Sequence, residues 1–225
     1  MKNFVTLAAL AVLAFSVSGC GGLADGLVGN KNPRVRLVNA FPGTNIDASF
    51  TDSGGTQNIM ADRPFATVTI EFVPNNGNNT VTFSGPAGGA EFISRSSLYE
   101  LNRDYTVVGF GAAGSRNILT ASEGASPLAN RAAYRVMNVS NGVVDVRTAA
   151  SGAAIGASTM VRDNLGLASN FPYQDVAAGS MRIFITNSDG SVVHSADDYT
   201  FESGKTYTII VAENAGTQVF KINSF

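Results

Sequence analysis

One cysteine, one histidine and no tryptophan leave this chain few side chains with which to do chemistry. The cysteine closes Val17-Ser18-Gly19-Cys20, where small residues precede a thiol in the pattern of a lipobox, so Cys20 is the expected lipidation site. With Cys20 committed to lipid, no disulfide and no Cys-His pair is available, and one histidine cannot build a multi-histidine metal site. His194 lies in Ser191-Val192-Val193-His194-Ser195, just past an Asp-Gly turn, where alternation places it on an ordinary strand; no catalytic role is expected. Asp197-Asp198 read as a polar turn before Tyr199, and they lack the spacing of a calcium loop, so no metal is expected.

Gly109-Phe110-Gly111-Ala112-Ala113-Gly114 matches the dinucleotide pattern G-x-G-x-x-G and follows the strand-like Tyr105-Thr106-Val107-Val108. That fingerprint works only when a helix follows and offers its first N–H groups to a pyrophosphate. Strand-like sequence follows here, and no acidic residue stands roughly 20 positions on to take a ribose, so a hairpin turn and no cofactor are expected. Most aromatic residues occupy strand-interior positions. Phe41, beside Pro42-Gly43, and Phe171-Pro172-Tyr173 stand apart as loop aromatics, which makes Phe41, Phe171 and Tyr173 the candidate contact surface.

The elements that must position these residues begin with an address. Lys2, the apolar run Phe4–Val17 and the small residues before Cys20 read as an export signal over 1–19. The run is shorter than the roughly 20 apolar residues a spanning helix needs. Residues 20–33 are glycine-rich and polar, a lipidated cysteine followed by a flexible tether. Two or more acyl chains on Cys20 would hold the protein stably on a membrane. Gly21 after the cysteine points to the outer membrane of a Gram-negative bacterium, on its periplasmic face or at the cell surface. With 15 basic against 17 acidic side chains, the chain lacks the basic excess that nucleic acid or an electrostatic membrane patch requires.

From Pro33 onward short β-branched and aromatic runs alternate with period two between Gly, Asn, Asp and Pro, which specifies an all-β protein. Asn76-Gly77, Asn141-Gly142 and Asp189-Gly190 have the composition of tight turns. Glu100–Leu119 aligns without a gap on Glu202–Lys221, matching Tyr105 with Tyr207 and Thr106 with Thr208, while Arg36-Leu37-Val38-Asn39 matches Arg135-Val136-Met137-Asn138. The chain is a tandem duplication. Units at 34–122 and 131–225, each of about seven strands, suit two tandem antiparallel β-sandwich domains, immunoglobulin-like or related. One continuous sandwich sharing strands between units is the alternative.

The opening strand Val35–Pro42, the Tyr-Thr-Val-Val and Tyr-Thr-Ile-Ile strands, and Phe171-Pro172-Tyr173 leading to Val176–Ser180 resemble the bacterial domain-of-unknown-function family 4397. Arg63-Pro64-Phe65 reads as a looser counterpart of the Pro-Tyr element in the first unit. The resemblance implies exported β-sandwich repeats on a lipoprotein and carries no activity or site. The resulting expectation is a non-catalytic envelope lipoprotein that contacts protein or glycan partners, acting in adhesion or as a scaffold. A small-ligand or glycan binder with its site between the repeats is the alternative.

Overall fold

The structure is a computed structural model that describes residues 30–69 and 71–223. The export signal, Cys20 and most of the tether fall outside these residues. Asn32–Phe225 forms one compact unit made almost wholly of strands. The first repeat supplies β1 (Arg34–Ala40), β2 (Ile46–Asp52), β3 (Gly55–Arg63), β4 (Gly77–Ser84), β5 (Glu91–Tyr99), β6 (Asp104–Phe110) and β7 (Asn117–Glu123). The second supplies β8 (Arg131–Asn138), β9 (Val144–Ala150), β10 (Thr159–Leu165), β11 (Ser169–Asn170), β12 (Gln174–Ala177), β13 (Gly179–Asn187), β14 (Val193–Phe201), β15 (Thr206–Glu213) and β16 (Thr217–Asn223).

Each repeat is a β-sandwich, and each sheet takes its strands from one repeat only. The outer sheets have order β3-β2-β4-β5 and β10-β9-β13-β14, all antiparallel. The inner sheets run β1-β6-β7 and β8-β15-β16, with β11 and β12 along the free side of β8. Both inner sheets contain one parallel pair, β1 with β6 and β8 with β15, because the chain visits the outer sheet between the two strands.

Alternation along the strands explains the layering. The outer strand β4 buries every second residue, as expected of a sheet with one face on a core. The inner strands β1, β6, β8 and β15 are buried along nearly their whole length, so both faces of these sheets are covered. Val35, Leu37, Tyr105 and Val107 point into the core of the first sandwich, and Tyr134, Val136, Tyr207 and Ile209 into that of the second. The intervening residues Val38, Ala40, Val108 and Phe110 meet Met137, Val139, Ile210 and Ala212 in a third core. The molecule is therefore a stack of four sheets with an apolar seam in the middle.

The duplication repeats its local devices as well as its strands. The Tyr105 hydroxyl accepts a hydrogen bond from the Glu100 N–H at 2.9 Å, and Tyr207 does the same for Glu202, which fixes the turn into β6 and into β15. The buried Asn39 donates to the Thr44 and Arg63 carbonyls and accepts from the Phe41 N–H; Asn138 donates to Gly142 and Leu165 and accepts from Ser140. Bulges interrupt the outer edges β3 and β10, with the Asp62 and Asn164 N–H groups donating to Asp47 and Asp145. Such bulges keep an open edge from templating another strand.

The repeats differ at one place, and two local expectations change. Val68 and Phe72 make isolated bridges to β1, whereas the same stretch of the second repeat is the broken strand pair β11 and β12. Asn76-Gly77 opens β4 and Asn141-Gly142 joins strands of different sheets; of the three turn sequences, Asp189-Gly190 makes the hairpin, between β13 and β14. Phe72 pairs with Val35 as Gln174 pairs with Tyr134, so the counterpart of Phe171-Pro172-Tyr173 is positions 69–71 and not Arg63-Pro64-Phe65.

Candidate functional site

At one end of the seam the apolar core gives way to polar side chains held by both repeats. Arg36 on β1 and Arg135 on β8 are paired in register with Thr106 on β6 and Thr208 on β15. Each arginine reaches across the seam: Arg135 Nη1 donates to the Ser122 carbonyl on β7 at 2.9 Å, and Arg36 Nη1 donates to the Asn223 carbonyl on β16. Reciprocal bonds of this kind are the mark of a quasi-twofold interface.

The Arg135 side chain is 3% exposed and its partner Glu123, the last residue of β7, is 4% exposed. Arg135 Nη2 meets Glu123 Oε1 at 2.6 Å, Arg135 Nε donates to Thr208 Oγ1 at 3.1 Å, and Thr106 Oγ1 donates to Glu123 Oε1 at 2.5 Å. The Tyr173 hydroxyl donates to Glu123 Oε2, and the Arg135 guanidinium lies 4.9 Å from the centre of the Tyr173 ring. Every nitrogen of this guanidinium has a partner, which is the condition for burying an ion pair without a large penalty. Burial pulls the Arg36 pKa below its ordinary value, an effect opposed by the charges of Glu123 and Glu71.

Above this hub lies an open groove of about 750 Å³. Its walls are the turn carrying Asn102 and Arg103 before β6, the linker Gly124–Ser126, and Asn170 of β11 and Asp175 of β12 with the loop Phe171–Tyr173 between them. Asn102 holds a positive φ of 59°, which asparagine tolerates better than most residues. The groove sits where the linker joins the repeats, but polar side chains dominate its rim.

The candidate contact aromatics separate. Phe41 is 1% exposed, packed edge-on against Phe83 and Phe92 in the first core, and Phe171 is 3% exposed against Tyr134. The expected surface role of Phe41 is therefore corrected: the Asn39 side chain turns the chain inward and buries the ring. Phe171 is likewise core, forming the floor of the groove. Tyr173 is half-buried and lines the groove beside the exposed Pro172. The arginine–glutamate hub was not singled out from the sequence, although arginine at the same place in two apolar strands, opposite threonine in both, was its signal.

The remaining sequence candidates lie elsewhere. Gly109-Phe110-Gly111 ends β6 and turns into β7, with no helix following; a Cβ on Gly111, whose φ is +91°, would strike the Ser115 carbonyl. His194 is half-buried on β14, and among the described residues no serine or carboxylate is hydrogen-bonded to it; the Ser195 hydroxyl donates to Asp197 instead. Asp197 and Asp198 are mid-strand residues of β14, not a turn, because they pair with Ile183 and Arg182. The Arg182 guanidinium, 2.8 Å away, holds the Asp198 carboxyl below the usual range. Among the described residues no three histidine, cysteine or carboxylate side chains gather as a metal site.

No protein-family model and no curated protein matches this chain. Among solved structures, the chain aligns over 82% of its length with the Bacillus anthracis TIE protein, at 11% identity and a TM-score of 0.28, spanning 34% of that protein. A carbohydrate-binding module of Eubacterium rectale, solved with maltoheptaose, aligns at 12% identity and a TM-score of 0.27, covering 84% of this chain and 97% of that one. A candidate cell adhesion protein of Bacteroides uniformis aligns at 11% identity and a TM-score of 0.26, covering 87% and 97%.

Proposed function

We propose that this protein is a non-catalytic contact module of the bacterial envelope, a member of domain-of-unknown-function family 4397 anchored through lipid on Cys20 to a Gram-negative outer membrane. The lipobox Val17–Cys20, the apolar run before it and the glycine-rich tether support the anchor. The observation that carries the binding role is the groove at the seam, whose walls come from both repeats and whose floor is locked by the Glu123–Arg135–Tyr173 hub. A rigid, preformed recess loses little entropy when it is filled. Binding by surface complementarity, in adhesion or in scaffolding, uses that recess and the loops around it.

The test uses the mature chain carrying Cys20→Ser, fluorescently labelled and offered to whole cells and isolated envelopes. Saturable binding that is lost in Ser126→Trp, which fills the groove from an exposed linker position, is the expected result. Binding that does not saturate, or that ignores Ser126→Trp, overturns the reading. In cells, Cys20→Ala is expected to release the protein from membranes, and unchanged retention overturns the anchor.

A second reading, a small-ligand or glycan binder, is favoured by one feature: the groove volume falls within the roughly 300–1,000 Å³ of ordinary ligand sites.

A further inference from the structure

We propose that the seam groove binds an uncharged, hydroxyl-rich ligand, an oligosaccharide chain. The proposal rests on the reading of the groove as the binding surface and adds the class of ligand.

Charge is the first argument. Arg103 and Arg135 are the cations of the lining and Glu123 and Asp175 its anions, so the lining is balanced. Arg135 and Glu123 are consumed by each other, and Arg103 pairs with Glu100 at 3.0 Å. A polyanion finds no excess of positive charge here, and the single carboxylate of Asp175 is too little negative charge to hold a polycation.

Polarity is the second. Asn102, Ser126, Asn170 and Asp175 are exposed around the rim. A wholly apolar ligand would strip water from these groups without replacing its hydrogen bonds, which is costly. Hydroxyl groups replace them, because amide side chains both donate to and accept from hydroxyls and a carboxylate accepts from them. Pro172 and Tyr173 add an apolar facet among the polar groups, and a sugar ring presents both kinds of surface, C–H faces and hydroxyl edges.

Rigidity is the third. The Tyr173 ring is pinned at its hydroxyl by Glu123 and on one face by Arg135, so the platform is set before a ligand arrives.

The experiment is calorimetric titration of the mature chain carrying Cys20→Ser with three probes. These are neutral α-1,4-, β-1,4- and β-1,3-linked glucan oligosaccharides with chito-oligosaccharides, a heparin oligosaccharide, and a pool of extended peptides. Saturable binding of a neutral oligosaccharide is expected, nearly independent of salt, weakened about tenfold or more by Asn170→Ala or Asp175→Ala and unchanged by Arg182→Ala on the outer sheet. Preference for heparin overturns the uncharged class. Peptide binding sensitive to Asn170→Ala overturns the sugar and leaves the contact module standing. If no probe binds while Ser126→Trp still abolishes binding to cells, the sugar class alone falls. If Ser126→Trp changes nothing in either assay, both readings fall.

Discussion

The two repeats share one fold and solve one packing problem in opposite ways. In the first, Phe41 enters the core beside Gly109; a Cβ on that glycine would lie 2.5 Å from the Phe41 ring and 2.8 Å from the Phe83 ring. In the second, register places Ser140 and Val211 at the matching positions, both fully buried. A large side chain from the loop with none on the strand has been exchanged for a small one from the loop with a branched one on the strand. Volume in a close-packed core is conserved between the copies although neither residue is. The seam differs likewise: Arg36 lies 3.6 Å from Glu71, while Arg135 has the Tyr173 ring at the equivalent place. That exchange puts an aromatic platform in the second repeat and a carboxylate in the first.

The largest effect is expected at the hub that ties the repeats together. Glu123→Ala should cost about 3–5 kcal/mol, because it leaves Arg135 buried without its counter-charge. The double variant Glu123→Leu, Arg135→Met should recover most of the loss in thermal unfolding. A double variant no more stable than the single would show that the hub contributes more than charge compensation. Next comes the core exchange. Gly109→Val alone should lose about 3 kcal/mol through overpacking, and Phe41→Ser in the same chain should restore much of it by reproducing the arrangement of the second repeat. Absence of rescue would break the comparison.

The two equivalent asparagines of β1 and β8 sharpen it. Asn39→Ala and Asn138→Ala should each cost about 2 kcal/mol, with Asn138 the more costly because it also accepts the Ser140 hydroxyl at 2.7 Å. Equal losses in chemical denaturation would remove that distinction. The last comparison is in alkali. Burial pushes the Tyr99 hydroxyl from 10.0 up to about 12. An acid whose folded pKa is raised gives stability that is complete below pH 10.0 and is lost as pH rises from there through about 12. Tyr99→Phe should make that part of the stability–pH curve shallower, with the rest of the slope left to Tyr134 and Tyr199, whose hydroxyls burial also pushes up, and an unchanged slope would assign it wholly to other groups.

The outer layers were legible in the sequence because alternation in strands such as β4 reports one buried face. The register match of Tyr105 with Tyr207 and Thr106 with Thr208 likewise exposed the duplication. The parallel pairs were not legible: a strand buried on both sides reads as a continuous apolar run, which carries no sign of direction or neighbours. Phe41 and Phe171 were misplaced for a related reason. An aromatic next to proline looks like a loop residue, and only the three-dimensional path, after Asn39 for Phe41 and along β8 for Phe171, whose N–H donates to the Val136 carbonyl, decides whether such a loop folds inward. Tyr173 was found, but the acid beneath it was not, since Glu123 stands at the end of a strand where a carboxylate is ordinarily solvated.

The position of β1 has a mechanical consequence. The strand that follows the tether is enclosed by four-sheet packing and hydrogen-bonded along its length to β6, which runs in the same direction. Tension applied along the axis of β1 from its N-terminal end loads those bonds in shear, so they share the force and must fail together. Under such a pull, resistance is governed by the rate of unfolding rather than by equilibrium stability.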